Sequence, residues 1–366
     1  MQLRRIAGNA AAVLIGLFVA VSLGELLLRQ VVTLPMQRIE PEIRYRPHPA
    51  RRFTLLPDQV ANTYGAAASI DGRGFRMNGH DYAGRANSGA RILALGDSFT
   101  FGLGVGNEET WPAQLEKTLR SDVGLPVSVI NAGTISYGVF QELDLLRSSG
   151  LKTQPTIVVH GLYWNDFMNA APPAPHSPSV LTADGYFVWD RPAGEENPIR
   201  RAASKVVSQS AFLYSLRQVV SQLGRREKST DYALAFSNMV ENGLTPSEWQ
   251  YVEDFYLQLK SVGDEHEFQN FVVIMPVNGI VCRPGAKDQP YPAEARRRLE
   301  ALEIPYLDAF SLWAEKGCNK RTFLPQGPDA HLNATGYQLI AEALADHLLA
   351  SPVTSAAIRQ NARATP

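Results

Sequence analysis

Arg91-Ile92-Leu93-Ala94-Leu95-Gly96-Asp97-Ser98-Phe99-Thr100 is an apolar run broken by a glycine, a carboxylate and two hydroxyls. A continuous apolar run of this length, bounded by glycine, reads as a strand buried on both faces and therefore as part of a parallel sheet. The residue just beyond such a strand lies in the crevice where open α/β sheets bind ligands, and a helix starting there points backbone N–H groups into it. Ser98 is either the cap of that helix, since Ser and Asp suit caps, or a nucleophile.

Outward from this stretch, short apolar runs alternate with amphipathic ones. Strands are predicted near 91–95, 127–131, 156–160, 271–277 and 304–308, and helices near 111–121, 139–150, 293–303 and 335–350. Trp111-Pro112 suits a helix start and Gly150 a helix end. The alternation predicts an α/β fold, a parallel sheet covered by helices.

Two further strand ends carry polar groups. Val127 to Ile130 runs into Asn131-Ala132-Gly133-Thr134-Ile135-Ser136-Tyr137-Gly138, and Thr156 to Val159 runs into His160-Gly161-Leu162-Tyr163-Trp164-Asn165-Asp166. Near the other end, Asp329-Ala330-His331-Leu332-Asn333 precedes the last amphipathic helix. A serine hydroxyl attacks well only when a histidine takes its proton and a carboxylate holds that imidazole in one tautomer. Asp329 and His331 can supply both functions. Acyl transfer also needs donors for the oxyanion; backbone N–H groups near Ser98 and from Gly133 to Ser136 suit this, as does the Asn165 amide.

These four blocks, in this order, resemble the SGNH or GDSL-like hydrolase superfamily over roughly residues 88 to 350. The resemblance implies a three-layer α/β/α fold with a flavodoxin-like, five-stranded parallel sheet, and hydrolysis of acyl esters without a metal or cofactor. By position it implies Ser98 as nucleophile, His331 as general base, Asp329 as its orienter, and Asn165, Ser136 and Gly133 as the oxyanion site. Departures from the common pattern are Phe99 in place of leucine, Trp164 where glycine is frequent, and an Asp329-to-His331 spacing of two residues rather than three. Ser136 stands where the family usually has a glycine, which would strain the side chain if the backbone there needs positive φ.

Other chemistries find no support. No Gly-x-Ser-x-Gly elbow, His-Glu-x-x-His helix, Walker loop or Cys-x-x-Cys pair occurs. A formal charge of -1 over 366 residues offers no electrostatic reason to expect nucleic acid as a partner.

Ile6 to Gly24 are almost wholly apolar or small and would span about 28 Å as a helix, enough to cross a bilayer. The reading is an uncleaved anchor with the catalytic domain outside the cytoplasm; a signal peptide cut near Ala20-Val21-Ser22 is the alternative. Arginines on both sides of the segment leave the charge rule undecided. Cys282 and Cys318 either pair in an oxidising compartment or remain two unrelated thiols. The expected organisation is a membrane anchor or signal segment at 1–33, a linker and preamble at 34–88, the hydrolase-like domain at 89–352 and a flexible tail at 353–366. Within the domain lies an insertion at about 168–268, read as a lid with Tyr186, Phe187 and Trp189 as contacts.

The expected activity is a membrane-tethered serine esterase in the cell envelope or periplasm, acting on an acylated polysaccharide or lipid. An acyltransferase on an envelope polysaccharide, or a non-catalytic binding or assembly subunit, is the alternative.

Overall fold

The computed structural model describes residues 2–29, 42–79, 89–169, 179–181, 185–189, 231–324 and 331–363, with single positions between 207 and 216. The chain forms two compact units, Met1–Glu40 with Asp190–Thr230, and Pro41–Trp189 with Asp231–Pro366.

In the first unit, α1 (Gln2–Leu28) is a helix of 27 residues. Near its end the Glu25 carboxylate accepts hydrogen bonds from Ser210 Oγ at 2.7 Å and from the Phe212 backbone N–H at 2.9 Å. Val13, Ile15, Val19, Leu23, Leu26 and Leu27 are exposed, and at 100° per residue they fall within roughly one half of the helix circumference. Among the described residues no helix is long and apolar enough to cross a membrane. The transmembrane helix expected from residues 6 to 24 is thus not found as such; α1 occupies the same stretch, with side chains described chiefly from Val13 onward.

The second unit opens with two antiparallel hairpins, β1 (Tyr45–His48) with β2 (Arg52–Leu55), and β3 (Gln59–Thr63) with β4 (Ala66–Ile70). The five strands of the parallel sheet include β5 (Ala90–Gly96), β6 (Val127–Asn131) and β7 (Ile157–Leu162). A small ribbon of β8 (Ser179–Leu181) and β9 (Phe187–Trp189) follows, and β10 (Gln269–Ile274) and β11 (Tyr306–Asp308) complete the sheet. Its order is β11-β10-β7-β5-β6, all parallel, which is the flavodoxin-like arrangement. Ile92 to Leu95, Ile157 to Val159 and Val272 to Ile274 are fully buried, as strands covered on both faces must be.

The helices of this unit are α2 (Ser98–Phe101), α3 (Trp111–Lys117), α4 (Val139–Leu145), α5 (Asp231–Asn242), α6 (Pro246–His266), α7 (Asn278–Val281), α8 (Pro290–Ala301), α9 (Ala309–Glu315), α10 (Ala334–Ala350) and α11 (Pro352–Arg363). α3, α10 and α11 pack together, and α4 packs on α6.

Three expected segments behave differently. Residues 34–88, read as a linker, contribute Ile43, Tyr45, Phe53, Leu55, Ile70 and Phe75 to the core, because each short hairpin buries alternate side chains. Arg76 then bridges to Asn131 at the edge of β6. Within the expected insertion, α6 is a core element. A capping box of Thr245 and Glu248 starts it, with Pro246 in its first turn, and Trp249, Val252, Phe255, Tyr256, Leu259 and Val262 form its buried stripe. The ribbon holding Phe187 and Trp189 attaches to β1 through the Tyr45 N–H to Gly185 carbonyl bond, 2.7 Å; Tyr186 is half-buried. The expected flexible tail is the helix α11, pinned by the buried side chains of Thr354 and Ile358.

Cys282 and Cys318 form a disulfide, with Cα atoms 5.5 Å apart.

Candidate active site

The chain leaves β5 to form β6 on one side and returns past it to form β7 on the other. The ends of β5 and β7 therefore flank the crevice created where strand order reverses. Gly96 closes β5 with φ +149°, and a Cβ there would lie 2.3 Å from Thr100 Oγ1, so the turn requires glycine.

Asp97 caps the one-turn helix α2, its Oδ1 accepting the Phe99 N–H at 2.8 Å, and Gly102 ends it in the left-handed conformation. Asp97 is buried, 1% exposed. Ser98 is the first residue of α2 and 8% exposed.

Across the crevice, Leu332 is buried and bridges to Phe323, while Asn333 caps α10 by accepting the Gly336 N–H at 3.1 Å. Between these two fixed points His331 presents Nε2 at 2.8 Å from Ser98 Oγ. Ser98 Oγ also lies 3.3 Å from Asp97 Oδ2. The His331 ring stacks on Phe99, centroids 4.4 Å apart, and the opposite contact of Phe99 is with Tyr163 at 3.9 Å. Asp329 lies outside the described residues.

The loop after β6 is tied to the turn through the Thr134 N–H, which donates to the Gly96 carbonyl at 3.0 Å. Ser136 has φ +65°, the left-handed region that favours glycine. Gly133 is placed otherwise than expected. Its N–H donates to Asn131 Oδ1 at 3.0 Å, so it is not free for an oxyanion, and a Cβ there would lie 2.1 Å from the Phe101 nitrogen. Its glycine serves close packing against α2. Asn165 is half-buried, and its Oδ1 is shielded from solvent with no hydrogen-bond partner among the described residues.

Two contributors escape a reading of the sequence. Phe99, read as a plain apolar substitute, is the surface on which His331 rests. Arg76, 1% exposed, donates to the Phe101, Gly102 and Val105 carbonyls at 2.7, 2.6 and 2.5 Å, and its guanidinium lies 4.6 Å from the Phe101 ring centroid. A cation thus holds the C-terminal end of the helix that begins with Ser98. Burial pulls the Arg76 pKa down to about 10, which leaves it charged at neutral pH.

Among the described residues, Glu142, His160 and Asp166 are the group whose ligand atoms come close enough together, within 4.8 Å, to hold a metal ion. Both ring nitrogens of His160 are engaged in hydrogen bonds there, with Glu142 and Tyr256. A separate cavity of about 430 Å³ is lined by Asn278, Gly279, Cys282 and Arg283, none of which belongs to the Ser98 site.

Solved structures similar to this chain include a putative lipolytic protein of the G-D-S-L family from Desulfitobacterium hafniense DCB-2, 13% identical, covering 70% of this chain and 99% of that one with a TM-score of 0.39. A lipase/acylhydrolase from Enterococcus faecalis is 15% identical over 71% and 95% of the two chains, TM-score 0.38. A variant of an acetyl-xylooligosaccharide esterase from Geobacillus Stearmophilus is 12% identical over 72% and 95%, TM-score 0.41. No curated protein matches the chain. A family model, by contrast, matches residues 94–339, from within β5 into α10, and so takes in all three strand-end loops and His331. By that match the chain belongs to the GDSL-like lipase/acylhydrolase family.

Proposed function

We propose that the chain is a serine esterase in which Ser98 attacks the ester carbonyl and His331 Nε2 takes its proton. The observation that carries this reading is the 2.8 Å contact between Ser98 Oγ and His331 Nε2, the distance at which a general base accepts a hydroxyl proton. As the tetrahedral intermediate collapses, His331 returns the proton to the leaving alcohol. Water then attacks the acyl-enzyme with His331 again as base. Asp329 holds the imidazole, and the Asn165 amide with the Ser136 backbone N–H binds the oxyanion, each donor worth about 3 kcal/mol in such sites.

The substrate proposed is an O-acyl group on an envelope polysaccharide or lipid, reached by an enzyme tethered through α1 with its catalytic unit outside the cytoplasm. Support for the tether comes from the apolar stretch of residues 6 to 24 and from the exposed apolar side chains along α1.

The test uses the full-length chain in detergent with p-nitrophenyl acetate and a fluorophosphonate probe. Turnover and labelling that vanish in Ser98→Ala are expected, with kcat/KM rising from acid to neutral pH as the imidazole loses its proton. Absence of both in the wild type overturns the esterase reading. Carbonate extraction of membranes tests the tether: release of the chain into the soluble fraction contradicts it.

A further inference from the structure

Behind the Asn165 loop lies a closed set of polar side chains that ester hydrolysis by Ser98 and His331 leaves unused. Glu142 on α4, His160 on β7 and Asp166 are fully buried, and Tyr256 on α6 nearly so. His160 Nε2 is 2.8 Å from Glu142 Oε2 and 4.0 Å from Asp166 Oδ2, and its Nδ1 is 2.9 Å from the Tyr256 hydroxyl. With Nε2–H donated to Glu142, Nδ1 accepts the tyrosine proton, and the imidazole is fixed from both sides.

Two carboxyls in a dry interior are costly, and Glu142 Oε1 and Asp166 Oδ1 have no hydrogen-bond partner among the described residues. What the arrangement holds is the turn after β7. Asp166 Oδ2 accepts the Tyr163 N–H at 2.7 Å, and the Asp166 N–H donates to the Tyr163 carbonyl at 3.2 Å. Asn165 lies inside that closed turn. The ring of Tyr163, at its other end, supports Phe99 and through it His331.

We propose that Asp166, seated against the His160–Glu142 pair, is a positioning residue for the esterase reaction, clamping the Tyr163-to-Asp166 turn so that the Asn165 amide meets the oxyanion. The inference rests on the esterase reading of Ser98 and His331. Burial first, then the charges of Glu142 and Asp97, hold the Asp166 carboxyl well above the usual carboxylate range, which favours its protonated form. A neutral side chain of the same shape should therefore replace it.

The experiment compares Asp166→Leu, Asp166→Asn and Asp166→Glu in the full-length chain, with p-nitrophenyl acetate and with circular dichroism as a check of folding. Asp166→Leu should lower kcat by about 10²-fold or more with KM little changed, the size expected when one oxyanion donor is lost. Asp166→Asn should recover activity to within about tenfold of wild type, because its amide oxygen still accepts the Tyr163 N–H. If Asp166→Leu does not fold, Asp166→Glu gives the reading, since one added methylene displaces the turn and lowers kcat while the acid is kept. Wild-type turnover that a folded Asp166→Leu leaves unchanged, or a loss confined to KM, overturns the clamp alone. An Asp166→Asn chain as impaired as Asp166→Leu also overturns it. A wild type with no turnover and no labelling overturns the esterase reading and the clamp with it.

Discussion

The ring of Phe99 lies against the imidazole of His331, centroids 4.4 Å apart and planes 27° from parallel. Such stacks contribute about 0.5–1.5 kcal/mol beyond the area they bury, enough to bias the rotamer of the imidazole. Phe99→Leu should lower kcat/KM for p-nitrophenyl acetate by about three- to tenfold, and Phe99→Ala further. Steady-state kinetics check this; a leucine variant as fast as wild type would show that the stack is only packing.

Ser136 stands at φ +65°, where an L-residue costs about 1–2 kcal/mol. Glycine gives back about 0.5–1 kcal/mol of that in chain entropy. Ser136→Gly should therefore gain up to about 1 kcal/mol, and Ser136→Val should lose a similar amount or more. Urea unfolding midpoints decide the sign.

Arg76 serves three carbonyls at the end of α2. Each buried acceptor left without a donor costs about 1–3 kcal/mol, partly offset because a charge need no longer be buried. Arg76→Met should lose about 2–4 kcal/mol, and Arg76→Lys less, since one ammonium reaches fewer of the carbonyls. Loss below about 0.5 kcal/mol in urea titrations would contradict the capping role.

A carboxyl raised in the folded state stabilises the protein most below its ordinary pKa, and the contribution disappears as pH rises through the folded value. Asp166 is such a group. Asp166→Asn removes the loss, so its stability relative to wild type should rise as pH climbs above the ordinary carboxylate range. Thermal unfolding as a function of pH tests the trend, and a constant difference would refute it.

Much of this architecture is legible in the residues themselves, and the reasons divide cleanly. Ile92 to Leu95 and their counterparts in β7 and β10 announce themselves because a strand buried on both faces has no polar positions to blur it. Pro246 and the capping pair Thr245 and Glu248 mark α6 in the same direct way, yet the long stretch around it hides that it belongs to the core. The hairpins before β5 have strands of four or five residues, carry arginine and proline, and show no run long enough to count. α11 buries little beyond Thr354 and Ile358, too few to declare a period. At the site, Ser98 and His331 stand in recognisable blocks. The stack of Tyr163, Phe99 and His331 joins residues from three separate segments, and the service of Arg76 to backbone carbonyls leaves no pattern in side-chain chemistry at all.

The place of Arg76 also redraws where the working enzyme begins. The family match starts at residue 94, but the cation that steadies the far end of α2 comes from well upstream, together with the hairpins that carry it. A fragment trimmed to the matched residues would keep Ser98 and His331 and discard the brace beneath them.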